Sequence, residues 1–223
     1  RVWEALNPIV CYLSEQHRQE DKSFLDLLSG IRRGVLSASH HALLKTRRVQ
    51  SARAGLTQLY SHNADVDRIN DVELGNIVGG ASEFAMTSQG KNTLVATLKR
   101  GCLSPEILSL KIGARVMFTK NDVERKFVNG TLGIVTGFLD STPSTSSGQA
   151  GSPQAETGYP IVKTNASRTF AVEPMEWHIE DGGRVLARIA QIPLRLAWAI
   201  TVHKSQGMSL DSAHMDLSQA FEY

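Results

Sequence analysis

The stretch Leu194–Asp211, LRLAWAITVHKSQGMSLD, runs from an almost unbroken apolar segment into a cluster of polar groups. His203, Lys204, Ser205 and Gln206 can all donate hydrogen bonds, and Gly207 lets a ligand approach the backbone closely. No carboxylate follows until Asp211. A compact set of donors without acid suits an oxyanion, and phosphate is the commonest. Neutral donors with one cation grip a phosphate backbone firmly but reversibly, as a sliding strand requires. The bland alternative is a polar loop that caps a strand. His203 taken alone reads as a hydrogen-bonded structural residue. No second His or Cys stands at ligand spacing, so no metal site is expected. The His40-His41 pair reads as part of a solvated helix face.

A phosphate ligand raises the question of a nucleotide-binding loop. The nearest candidate is AMTSQGKNT, but a P-loop needs G-x-x-x-x-G-K-[ST] so that its backbone wraps the phosphates and its hydroxyl holds magnesium. Here Ala85 stands at the leading glycine position and Asn92 at that of the hydroxyl. The segment is rejected as a P-loop. No Ser-His-Asp or Cys-His arrangement is defensible either, so this chain alone should hydrolyse nothing.

These groups must be held by an ordered framework. Phe24, Leu27, Leu28 and Ile31 fall at i, i+3, i+4 and i+7, which predicts an amphipathic helix that Gly34 stops. A second helix is expected from about Ser39 to Arg53, with Ser39 as N-cap and Gly55 as the stop. GLTQLYS reads as a short strand, and HNADVDRINDVELGNIV as a turn into a helix capped by Asn63 or Asp65. From about Leu108 the texture becomes β. LSLKIGARVMFTKND is a candidate strand pair, and Asn129-Gly130 between KFV and TLGIV signals a hairpin. PIVKT, RTFAVEPMEWHIE and RVLARIAQI follow, the last two joined by Asp181-Gly182-Gly183. Several short strands with tight turns predict a small barrel. Ser141–Gly158, with one charge and no bulky apolar residue, reads as a mobile insertion at a hairpin tip. SAHMDLS is a further strand. Whether AWAITV is strand or helix cannot be decided from periodicity.

Composition bounds the rest. The 223 residues are 41% hydrophobic and 21% charged, ordinary values for a globular protein, and no apolar run approaches the roughly 18 residues of a membrane span. Cys11 and Cys102 form no CxxC pair and read as small packing residues in a reduced, cytoplasmic setting. The opening RVWEALNPIV lacks methionine, which predicts a fragment or a processed product. Net charge is only +2, but two windows are free of acid. One holds Arg32, Arg33, Lys45, Arg47, Arg48 and Arg53; the other holds Arg184, Arg188, Arg195 and Lys204. Such windows are what a phosphate-tracking surface would show, although a solvated helix face explains the first equally well.

At this point four ordered segments resemble one family. AWAITVHKSQGMSLD is similar to motif V of superfamily-one DNA helicases, in the form of the RecD-like and PIF-type branch. LSEQHRQEDKSFLDLLSGIRRG resembles motif IV of that branch, and LTQLYSHNADVDRIN resembles the segment after it. LKIGARVMFTKND with FVNGTLGIVTGF resembles the SH3-like barrel that these enzymes insert into their second RecA-like domain. The likeness implies an α/β fold: an incomplete RecA-like (P-loop NTPase-type) domain over 1–107, a barrel over 108–183, and a return over 184–223. It implies that Arg18 is an arginine finger aimed at the ATP γ-phosphate, where such groups contribute roughly 10³–10⁵ in rate. Gln19, Gln206, Gly207 and Ser209 would couple to the nucleotide, although a related branch carries glutamate where Ser209 stands. Thr201, His203, Lys204, Ser205 and Asn63 would approach single-stranded DNA.

The implied whole is an ATP-dependent DNA helicase that translocates on single strands and opens forks in genome maintenance. ATP and Mg²⁺ would sit mainly on the first RecA-like domain of the same polypeptide, which this chain lacks; motif VI would come just past Tyr223. No membrane partner is implied, and the setting would be cytoplasmic, nuclear or mitochondrial. Two rival readings are a non-catalytic nucleic-acid-binding module and a barrel that docks a protein partner.

Overall fold

The computed structural model describes residues 6, 8–11, 21–49, 55–139, 158–206, 208, 210 and 212–216. The chain separates into two compact units, residues 1–51 and 52–223.

The first unit holds α1 (Lys22–Arg33) and α2 (Ala38–Arg47). Asp21 caps α1 by accepting from Ser23 N and Phe24 N, and Gly34 closes it at φ 69°, a left-handed conformation that suits glycine. The apolar spacing produced the expected helix, with Leu27 buried and Phe24, Leu28 and Ile31 beside it partly exposed. The second helix differs from expectation. Its cap is Ser37 rather than Ser39, and it ends at Arg47. Ser37 Oγ accepts from His40 N, while His40 Nδ1 accepts from Ser37 N, so both free backbone donors are satisfied at once. His40 is therefore not on a solvated face: it is buried, and its Nε2 lies 2.8 Å from Asp26 Oδ2. Only His41 is exposed.

The second unit begins with β1 (Thr57–Tyr60) and α3 (Asn63–Asn76). Neither Asn63 nor Asp65 caps α3. His62 occupies the cap position without a side-chain cap bond, and both expected caps lie inside the first turn. Next come β2 (Ser82–Ala85), β3 (Thr87–Gly90), α4 (Asn92–Gly101), β4 (Ile107–Leu110), β5 (Arg115–Phe118) and β6 (Leu132–Phe138). They are followed by β7 (Pro160–Thr164), β8 (Thr169–Ala171), β9 (Met175–Asp181) and β10 (Arg184–Gln191). The last strands are β11 (Leu194–Leu196), β12 (Ala199–Thr201) and β13 (Ala213–Met215). β1 lies between β12 and β13, parallel to both. β3, β10 and β9 form an antiparallel sheet in that order, and β2 pairs with β4. The remaining strands make an antiparallel sheet ordered β11-β5-β6-β7-β8.

Three expectations about the β region change. β4 and β5, read as a strand pair, lie in different sheets, because the turn at Gly113 (φ 93°) redirects the chain between them. Asn129-Gly130 does not join two strands directly. It closes a longer loop between β5 and β6, where Gly130 N donates to Phe118 O. Phe127, which made KFV look like a strand, is instead a plug: its ring stacks 4.0 Å from Phe118 and 5.6 Å from Phe170. The barrel, finally, is an open sheet among the described residues, ending at β11 and β8 with no ladder between them. β9 and β10 do form the expected hairpin about Asp181–Gly183, paired onward to β3. The insertion lies outside the described residues apart from Gly158.

The core follows the layers. Phe84, Leu108, Val116, Phe118, Val135 and Ile192 pack between β2-β4 and the five-stranded sheet. A second cluster, Leu59, Met117, Ala197, Ile200 and Met208, joins that sheet to the parallel one. Val95 of α4 packs on Ala187 and Ile189 of β10. Fully burying a side chain of this size contributes about 1.5–3 kcal/mol. Buried Gln191 ties the layers with polar bonds, donating to the carbonyls of Phe84, Pro105 and Glu106. Free packing thiols were expected. Cys102 is half-buried, but Cys11 is exposed.

Candidate nucleic-acid interface

AWAITV resolves into strand. Ala199, Ile200 and Thr201 are all buried, and β12 runs parallel to β1 with Thr201 opposite Tyr60. The HKSQ turn therefore leaves the carboxyl end of a parallel sheet, the edge at which open α/β sheets bind ligands. The connection from β1 into α3 leaves the same edge and carries Asn63, which is exposed. Val202 N donates to Tyr60 O at 2.9 Å and holds the two exits together.

The turn divides its side chains into two sets. Thr201 and Ser205 build it: Thr201 Oγ1 accepts from Lys204 N, and Ser205 Oγ donates to Val202 O at 2.8 Å. Backbone bonds from Ser205 N to Thr201 O and from Gln206 N to His203 O complete the coil. His203 and Gln206 are exposed, whereas Lys204 is half-buried and turns toward a cavity beside α3. Burial pushes the Lys204 ammonium down, Arg195 adds to this by repulsion, and Asp67 opposes it. Gly207, Ser209, Arg18 and Gln19 lie outside the described residues.

One positioning residue escaped the sequence reading. β12 is an edge strand, and its outer backbone groups face α3, where buried Asn70 meets them. Asn70 Nδ2 donates to Ala199 O at 3.0 Å, and its Oδ1 accepts from Trp198 N and Ala199 N, each at 3.1 Å. The amide completes the ladder in place of a missing strand. Its signal in the sequence was an Asn four residues after Val66, on the face of α3 that turns inward. Tyr60 was also missed. Burial raises its phenol pKa, and Asp216 and Asp65 raise it further, against Arg68.

The second basic window is not one exposed face. Arg195 is buried and Lys204 half-buried, while Arg184 and Arg188 are exposed, the latter paired with Glu176 and Gln89. The first window does present Arg32, Arg33, Lys45, Arg47 and Arg48 to solvent. AMTSQGKNT supplies no phosphate cradle. Gly90 ends β3, antiparallel to β10, and a Cβ there would fall 2.5 Å from the Leu186 carbonyl oxygen, so the glycine serves strand packing. Among the described residues no helix is long and apolar enough to cross a membrane, and no cluster of three potential metal ligands occurs.

Comparison with known proteins accounts for this arrangement. Residues 93–138, from α4 to β6, match the family described as DNA helicase Pif1, 2B domain. Over 96% of its length the chain is 37% identical to the ATP-dependent DNA helicase Pif1 of Psychrobacter sp., and over all of it 33% identical to that of Xenopus laevis. It spans 39% and 33% of those proteins. Its fold matches a Bacteroides Pif1 helicase with a TM-score of 0.72 at 26% identity, covering 91% of this chain and 44% of that one. Bacteroides Pif1 bound to single-stranded DNA matches at 0.57 and 26% identity, covering 93% and 45%. With that 2B-domain segment set in a chain that follows these proteins along nearly its whole length in sequence and fold, this chain is similar to the Pif1 helicases.

Proposed function

We propose that this chain supplies the second RecA-like domain, with its SH3-like insertion, of an ATP-dependent DNA helicase of the RecD-like and PIF-type branch. Residues 1–107 and 184–223 make the RecA-like part and 108–183 the insertion. The intact protein translocates on single-stranded DNA and opens forked duplex in DNA repair or recombination. One observation carries this: the HKSQ turn stands at the carboxyl edge of a parallel sheet, held there by Thr201, Ser205 and Asn70, with His203 and Gln206 facing solvent.

The two exposed side chains, with Asn63 from the neighbouring exit, grip the strand. Thr201 and Ser205 act by shaping the turn, and Lys204 adds positive charge behind it. AMTSQGKNT is no phosphate cradle, and in this reading ATP and Mg²⁺ are held mainly by the first RecA-like domain of the same polypeptide. Arg18 acts on that nucleotide as the arginine finger, and Gln19, Gln206, Gly207 and Ser209 couple its state to the strand.

The test is a pair of substitutions in the intact protein. His203→Ala should weaken oligothymidylate binding, and Arg18→Ala should nearly abolish DNA-stimulated ATP hydrolysis while strand binding survives. Unchanged binding in the first variant would make HKSQ a structural cap. Equal loss of both activities in the second would remove the finger role from Arg18.

A further inference from the structure

A cavity of about 520 Å³ opens between α3, the α4–β4 connection and β11, within the range of about 300–1,000 Å³ usual for small-ligand sites. Arg195 lines it and is only 8% exposed. Its Nη1 makes one long bond, 3.4 Å to the Leu103 carbonyl oxygen, and its Nε has no hydrogen-bond partner. Lys204 lines the same cavity. Neither cation forms a salt bridge among the described residues. The carboxylates of the lining, Asp67, Asp71 and Glu106, belong to exposed residues, and Glu106 is already engaged by Lys99 at 2.6 Å.

Buried charge is costly unless it is paired and fully hydrogen-bonded. Here two cations share a recess, and the more deeply buried one has a single long hydrogen bond and an unpartnered Nε. A guanidinium fork beside an ammonium matches a phosphoryl oxyanion in shape. Two positive charges also match a phosphate dianion better than a single carboxylate. We propose that this cavity binds a phosphate group, with Arg195 and Lys204 as its ligands. The assignment stands on the cavity and does not need the helicase reading. The phosphate comes either free in solution or from a bound strand.

The experiment has two arms, each comparing the chain with its Arg195→Met variant, in which an apolar side chain of similar length keeps the packing. In the first arm, inorganic phosphate is titrated calorimetrically at constant ionic strength. Saturable binding that weakens roughly 10- to 100-fold in the variant, the loss expected for a charged hydrogen bond, assigns the site to free phosphate. In the second arm, oligothymidylate affinity is measured against salt. A slope that falls by about 0.7 in the variant, one contact on a single strand, assigns the site to strand phosphate. If Arg195→Met does not fold, Arg195→Gln carries both arms. The proposal is overturned if neither arm depends on these cations. Should the oligonucleotide still bind through His203 in that case, the helicase reading survives and the cavity assignment alone fails.

Discussion

Asn70→Ala is the sharpest test of how the candidate interface is held. The substitution removes three hydrogen bonds to the backbone of Trp198 and Ala199. Among the described residues no strand lies on that side of β12 to replace them. A typical net hydrogen bond contributes about 0.5–1.5 kcal/mol, and a buried group left without a partner costs about 1–3 kcal/mol. Water entering the vacated space repays part of this, so a loss of about 3 kcal/mol is expected. For a domain of this size that lowers the melting temperature by roughly 6–12 °C. Denaturant unfolding gives the free energy, and hydrogen exchange at the Ala199 amide locates it. Because Asn70 fixes the strand that delivers HKSQ, oligothymidylate affinity should fall as well, although Asn70 itself is buried. A loss under about 0.5 kcal/mol, with Ala199 as well protected as before, would show that the edge of β12 is satisfied some other way.

Two further outcomes follow from local geometry. Gly130 adopts φ 92°, and an added Cβ would lie 2.9 Å from Met208 Cβ; Gly130→Ala should therefore cost about 3 kcal/mol from strain and overlap together. Adding Met208→Gly should return the overlap but not the strain, a coupling of about 1 kcal/mol in a double-mutant cycle. The Cys102 thiol is pushed up by burial, against hydrogen bonds from Ser104 and the charge of Lys120. Iodoacetamide should therefore modify it several-fold more slowly in the folded than in the unfolded chain, as followed by mass spectrometry. The folded state holds this proton more tightly, so the stability it contributes is present at neutral pH and is lost as pH rises past the ordinary thiol range.

What the sequence made legible was what short-range spacing controls. α1 was readable because its apolar face and its stop at Gly34 lie within a dozen residues. The β9–β10 hairpin was readable because its turn, Asp181-Gly182-Gly183, sits between its own strands. Failures came where a distant partner decides. His40 is buried by Asp26, on another helix. Phe127 is claimed by Phe170, from a strand four places along the sheet order from β11. β4 and β5 adjoin in sequence yet pair elsewhere. AWAITV could not be assigned because both faces of β12 are covered, which erases the alternation that marks a strand. At the interface, the residue types of HKSQ pointed to an oxyanion. Which of them build the turn and which face solvent depends on a coil closed by Thr201 and Ser205, and no spacing rule encodes that.

The central sheet has a consequence for how the chain is made. β1 pairs with β12 through Gln58 and Ala199, and with β13 through Gln58 and His214. At ribosomal rates of about 5–20 residues per second, β1 waits on the order of ten seconds or more before either neighbour emerges. Throughout synthesis of the intervening sheets, the backbone of β1 lacks both of its ladder partners. The three-stranded platform beneath HKSQ is thus the last part to assemble, and a polypeptide arrested before Ala199 would carry every other sheet but not the one that presents the HKSQ turn.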